Sequence, residues 1–135
     1  MLSLTLGVIK FVKNWENKMV DVKGKWAFIT GAARGIGYLS AKFMAERGCN
    51  LILHSRDANH TKKVYDEVCA MGVKAFCVSA ELSDLDAVKK MLEEIDSFGV
   101  EVDIVLNNAG MQIAYRTDYF ATPVEDRHLR YYDRD

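Results

Sequence analysis

The chain has 135 residues, 50% hydrophobic and 27% charged, with nine Gly and one Pro. That is enough to bury one core, and the composition excludes disordered, collagen-like and low-complexity sequences. Eighteen basic against nineteen acidic residues leave a net charge of -1, so no overall positive field exists to hold nucleic acid. The three cysteines, Cys49, Cys69 and Cys77, form no Cys-x-x-Cys pair and are odd in number. This argues against a zinc site or a disulfide framework and for a reducing, cytoplasmic setting.

Residues 1–21 read as a leader, helical in part, with Leu2, Leu6, Ile9, Val12 and Met19 in a loose stripe beside Lys10, Lys13 and Lys18. Its apolar stretch, Leu2 to Ile9, falls well short of the ~20 residues of a membrane span. A helix resting on its own protein or on a partner is favoured over a role at a membrane surface. After the turn at residues 22–25, Trp26 to Thr30 form a compact apolar run ending in glycine, the pattern of a strand buried on both faces. Ile36, Leu39, Ser40, Phe43 and Met44 then recur at helical spacing up to Gly48, a C-terminal stop. Leu51 to His54 give a second strand, and Val64, Val68 and Met71 the apolar face of a helix that ends at Gly72. Val73 to Val78 give a third strand. Ser83 is the expected N-cap of the next helix, with Asp86 three residues on and Val88, Met91, Leu92 and Ile95 as its buried stripe. Val102 to Leu106 are the fourth strand.

Strand–helix units repeated in this way imply an α/β fold: a doubly wound parallel sheet with right-handed crossovers and helices on both faces. Ligands of such sheets bind at the carboxyl ends of the strands where strand order reverses, which places the chemistry just after Thr30, His54, Val78 and Leu106. The first of these turns, Thr30 to Gly37, is glycine-rich and opens a helix. Glycines let the backbone turn sharply and let a pyrophosphate approach it, and the helix that follows aims its free N–H groups at the anion. A second signal, Asn107-Asn108-Ala109-Gly110, follows the fourth strand.

The two signals together resemble the short-chain dehydrogenase/reductase family, whose cofactor turn is T-G-x-x-x-G-x-G and whose fourth strand ends in N-N-A-G. The likeness runs from about Val22 to Pro123. It implies a Rossmann-type domain over residues 22–122, truncated after about four strands, with a polar stub at 123–135. In the family's pattern Gly31, Ala33, Arg34, Gly35, Ile36 and Gly37 match the positions that hold a cofactor pyrophosphate. Asn107, Ala109 and Gly110 match those that support the adenine ribose and close the cleft, while Asn108 reads equally well as a structural tie. Glu81 and Leu82 stand where the family places an Asp on the adenine amino group and a residue packed on the ring.

Cofactor choice is read 24 residues beyond Gly31, at His54-Ser55-Arg56, close to the ~20-residue spacing at which an acid binds a free ribose 2′-hydroxyl. Ser55 as a donor and Arg56 as a cation favour NADP(H), with Arg34 adding a second charge. NAD(H) is the alternative, and Asp57 is the residue that argues for it.

The resemblance implies hydride transfer between NADP(H) and a small hydroxyl or ketone substrate, by way of a Ser and a Tyr-x-x-x-Lys pair. Only Tyr38 and Lys42 have that spacing here, on the first helix, where an i, i+4 pair is an ordinary arrangement. No catalytic residue is therefore assigned, and the chain alone is expected to be inactive. His54, His60 and His128 show no metal spacing and read as solvated or structural. Arg127, Arg130 and Arg134 stand where a following helix would show an apolar face. An uncovered fourth strand predicts self-association, or loss of order after about Gly110. The alternative is a non-catalytic dinucleotide-binding or interaction module.

Overall fold

The computed structural model describes residues 20–110. In chain order it contains β1 (Trp26–Ile29), α1 (Gly35–Glu46), β2 (Asn50–Ser55), α2 (Ala58–Ala70), β3 (Ala75–Ser79), α3 (Leu85–Ser97) and β4 (Ile104–Leu106). The leader expected over residues 1–21, apart from its last two positions, and the stub expected at 123–135 lie outside the described residues. The strands form one parallel sheet in the order β3-β2-β1-β4.

Period-two alternation divides the core into two layers. Ala27, Ile29, Leu51 and Leu53 turn to one face and meet Ala41 and Ala45 of α1 and Val64 and Val68 of α2. Phe28, Ile52 and Val78 turn to the other and meet Met91 and Ile95 of α3. Full burial of each large aliphatic side chain in these layers stabilises the fold by about 1.5–3 kcal/mol. On the α3 face Phe76 stacks on Phe98 at 4.0 Å and on Trp26 at 5.3 Å.

The division follows from handedness. Steps from β1 to β2 and from β2 to β3 run one way across the sheet and put α1 and α2 on one face. The chain then crosses back over two strands to reach β4, and a right-handed connection running the other way places α3 on the opposite face. Strand order thus reverses between β1 and β4, which fixes the cleft at their carboxyl ends.

Several expectations are corrected. The buried face of α1 is Gly37, Ala41 and Ala45, at i, i+4 and i+8. Of the residues that recur at helical spacing, Met44 packs partly buried against this core, but Ile36, Leu39 and Phe43 are 74%, 64% and 52% exposed. Small residues let α1 lie close on the sheet, so its large side chains turn outward, and Leu39 and Phe43 line an open groove beside Leu106. Met71 is the C-cap of α2 and exposed, because the helix ends before the turn that would bury it. Leu92 of α3 is likewise exposed, leaving Met91 and Ile95 as the buried pair. The N-cap of α3 is Asp84, not Ser83: its carboxylate accepts from the Asp86 and Ala87 N–H groups at 3.0 and 3.1 Å. Ser83 instead turns its hydroxyl to Glu81.

Asp103 joins β4 to β1 at the amino ends of the strands. Its N–H donates to the Trp26 carbonyl at 3.0 Å, its Oδ2 accepts from the Trp26 N–H at 2.9 Å, and Lys25 Nζ lies 3.5 Å from Oδ1. The Trp26 N–H, with the Lys25 charge beside it, holds this carboxyl below the ordinary Asp range.

Two predictions follow from this packing. Ala41→Leu overfills the α1–sheet contact and costs about 1–3 kcal/mol, whereas the larger deletion Leu39→Ala stays within about 0.5 kcal/mol; urea unfolding of the two variants checks the order. A carboxyl whose folded value is depressed stabilises above the unfolded Asp range and ceases to do so as pH falls through the lowered value. Thermal unfolding from neutral pH to about pH 2 shows that loss in the native chain and a shallower one in Asp103→Ala, which also melts lower at neutral pH.

Candidate functional site

The turn after β1 and the segment after β4 form one hydrogen-bonded unit. Thr30 is buried, and its N–H donates to the Leu106 carbonyl at 3.1 Å. Its hydroxyl donates to that same carbonyl at 3.3 Å and accepts from the Asn108 and Ala109 N–H groups at 3.0 and 2.9 Å. The Asn108 amide returns across the gap, Nδ2 donating to the carbonyls of Thr30 at 3.1 Å and Gly31 at 3.2 Å.

Each glycine of the turn answers a different demand. Gly31 has φ +66°, and a Cβ there would stand 2.9 Å from the Ala109 Cα. Gly35 has φ +59° with open space around it, so only its conformation calls for glycine. Gly37 has ordinary backbone angles, but a Cβ would run into the Gly31 carbonyl oxygen and Asn108 Nδ2. Gly110, by contrast, has room for a side chain.

The helix that opens from this turn is left uncapped. Arg34 is the N-cap of α1 with no side-chain bond to the helix, and the first turn holds no acid. Asp57 and Asp84 cap α2 and α3. The outward N–H groups of α1 are therefore met by no side chain among the described residues, the condition in which a helix end binds an anion.

Arg34 and Arg56 are exposed, and neither makes an ion pair with another described residue. Asp57, the sequence's main argument against a phosphate site, accepts from the Asn59 N–H at 2.8 Å at the start of α2. Ser55 differs from expectation: it is buried, and its hydroxyl donates to the Asp57 carbonyl instead of facing the cleft as a donor. After β3, Glu81 and Leu82 are exposed, with Glu81 Oε1 taking the Ser83 hydroxyl at 3.2 Å. Ala33 is half-buried behind the turn, and Asn107 is exposed.

His54, read as solvated or structural, is buried at 1% exposure and touches two parts of the site. The Gly31 N–H donates to its Nδ1 at 3.2 Å, and its Nε2 lies 3.0 Å from the Ala80 carbonyl. Sequence reasoning missed this contact. The available signal was a polar residue inside an otherwise apolar strand.

Tyr38 and Lys42 are engaged elsewhere. The Tyr38 hydroxyl donates to Glu67 Oε2 at 2.6 Å and Lys42 Nζ lies 3.1 Å from it, tying α1 to α2. The bond to Glu67 raises the Lys42 pKa; the Tyr38 hydroxyl, then Lys42, lowers that of Glu67. This is a helix-to-helix brace.

With this geometry in place, comparison with known proteins gives a consistent result. Residues 25–127 match the family model described as short chain dehydrogenase. Versicolorin reductase 1 of Dothistroma septosporum is 38% identical over 90 residues, which cover 65% of this chain and 34% of that protein. A short-chain type dehydrogenase/reductase from Mycobacterium marinum superposes with a TM-score of 0.67 at 31% identity, over 78% of this chain and 42% of that one. A metagenomic short-chain oxidoreductase solved in complex with NADP gives 0.63 at 30% identity, over 68% and 42%. The chain thus spans about a third of the length of the curated relatives it matches.

The Asn108 clasp sets up a sharp test. Asn108→Asp puts an acceptor opposite two carbonyl oxygens and lowers unfolding free energy by about 2–4 kcal/mol, whereas Asn108→Ala, which only deletes the donors, costs about 1–2 kcal/mol. Denaturant unfolding followed by circular dichroism checks both.

Proposed function

The chain belongs to the short chain dehydrogenase family, and on that footing we propose that it binds NADP(H) at the β1–β4 switch point as part of an oxidoreductase acting on a hydroxyl or ketone. The observation that carries the reading is the uncapped start of α1, opening from a turn that has no space for side chains at Gly31 and Gly37, beside two arginines without described partners. In this reading Gly31, Ala33, Arg34, Gly35, Ile36 and Gly37 hold the pyrophosphate. Arg56 and Arg34 take the ribose 2′-phosphate, with Arg56 as the main discriminant, because a guanidinium pairs with a phosphate dianion through two parallel N–H bonds. Ser55 contributes by shaping the end of β2 and leaves the phosphate to the arginines. Glu81 and Leu82 border the adenine, and Asn107, Ala109 and Gly110 the ribose. Residues 22–122 are the dinucleotide-binding unit.

The NADP held by a neighbour of the same fold supports this assignment. When bound, the nicotinamide exchanges a hydride with the substrate carbon. The chain's own residues bind and orient the dinucleotide: the α1 dipole and N–H groups neutralise the pyrophosphate, and the Asn108 clasp holds the turn open to it. The small-molecule hydroxyl or ketone, a cytoplasmic setting and self-association along the β4 edge belong to the same proposal.

A second reading is a dinucleotide-binding module without turnover: the one Tyr-x-x-x-Lys spacing in the chain, Tyr38 and Lys42, serves as a helix-to-helix brace, so no acid–base pair is assigned to it. NADPH oxidation measured with a panel of ketones separates the two. For the cofactor itself, Arg56→Ala weakens NADPH binding about tenfold or more, roughly 1.4 kcal/mol, while NADH binding holds steady. Fluorescence titration checks this, and equal losses for both cofactors refute the 2′-phosphate assignment.

A further inference from the structure

We infer that His54 is a positioning residue for the dinucleotide site: its imidazole sets the glycine turn against the loop after β3, and the Nδ1 bond governs affinity for the pyrophosphate half of the cofactor. The inference rests on the proposed cofactor reading.

His54 lies near the carboxyl end of β2, with β1 on one side and β3 on the other. Its ring is buried and sits edge-on to Phe28 at 6.4 Å. Partner chemistry decides the tautomer. The Gly31 N–H can only donate, so Nδ1 must be an unprotonated acceptor. The Ala80 carbonyl can only accept, so Nε2 carries the hydrogen. Both ring nitrogens are thereby satisfied, and no side-chain nitrogen or oxygen in the described core is left without a partner.

Three strands meet through this one side chain. Gly31 is the first residue of the anion-binding turn, and the His54 carbonyl accepts from the Ala32 N–H at 2.8 Å, so residue 54 holds two successive amides of that turn. Ala80 is followed directly by Glu81 and Leu82, the expected adenine border. A rigid aromatic ring therefore spaces the pyrophosphate wall from the adenine wall, where an aliphatic residue would fill the core and leave the Gly31 N–H without its acceptor.

Two substitutions separate the bonds. The Oδ1 of Asn follows the same path from Cβ as the His Nδ1, so His54→Asn keeps the acceptor for Gly31 and loses the bond to Ala80. The Nε2 of Gln matches the His Nε2, so His54→Gln keeps the donor to Ala80 and loses the acceptor. Titrated with NADPH, His54→Asn stays within about threefold of the native chain, and His54→Gln and His54→Leu weaken by about tenfold or more. Adenosine 2′,5′-bisphosphate, which carries only one phosphate of the pyrophosphate, shows a smaller difference between the Asn and Gln variants than NADPH does. Residues that only maintained the fold would move both variants alike with their thermal midpoints.

Nitrogen NMR of the histidine-labelled native chain must also show the Nε2–H tautomer at His54, which requires no variant to fold. The other tautomer, equal NADPH affinity in the Asn and Gln variants, or native affinity in His54→Leu each overturns the inference. Failure of the native chain to bind NADPH overturns the cofactor reading itself.

Discussion

The clasp between Thr30 and Asn108 is the contact on which the rest of the site depends. A short three-residue strand, β4, has to be held beside β1 at the place where the sheet reverses direction. Three ladder positions alone give little purchase, and the structure adds bonds at both ends: Asp103 at the amino end, and Thr30 with Asn108 at the carboxyl end. The Thr30 hydroxyl uses its hydrogen and accepts two more, so it has no bonding capacity to spare. The Asn108 amide gives both its hydrogens to two consecutive carbonyls of the turn. Two motifs far apart in sequence thereby become one rigid wall, and Gly37 is needed because that wall stands where its side chain would be.

Electrostatics at the cleft arise from omissions as much as from charges. Asp residues cap α2 and α3 and take up their first N–H groups. At α1 the corresponding residue is Arg34, which cannot accept, and no acid follows in the first turn. The amide dipoles that elsewhere meet a capping carboxylate meet no side chain here among the described residues. Asp57 is spent on its own helix, so the acid nearest to Arg56 in sequence does not neutralise it. A chain with net charge -1 carries local positive potential where an anion would sit.

Much of this was legible in the sequence, for identifiable reasons. Strand–helix alternation is carried by hydrophobic period, and glycines with their following helix mark the turn, so the sheet, its order of elements and the cleft were expected where they lie. The failures share a cause: they turn on contacts rather than on residue type. Helical spacing picked out Ile36, Leu39, Ser40, Phe43 and Met44 on α1, of which Met44 reaches the core, but the fully buried face is Gly37, Ala41 and Ala45, because close approach to a parallel sheet rewards small side chains over large ones. Ser83 and Asp84 are both good N-caps, and only the starting residue of α3 decides between them. Ser55 was assigned by its position at the end of β2, yet burial directs it inward, and His54, read as solvated or structural, is the structural case, a bridge whose partners were not foreseen. The loops after two other strands supply the partners of His54, and local sequence pattern marks only that a polar residue stands in an apolar strand.

The reversal of the sheet between β1 and β4 also limits what any neighbour of β4 can be. Travel across the sheet from β3 to β4 runs in one sense with its helix on the α3 face. A further parallel strand laid outside β4 by a right-handed connection continues in that sense, so its linking helix lands on the same side, over Val105, which is 56% exposed. The groove of Leu39, Phe43 and Leu106 lies on the other side and is out of reach of that helix. Chirality thus makes the two exposed flanks of β4 unequal: one can be closed by the next connection, and the other only by a segment that arrives from the opposite direction or from another molecule.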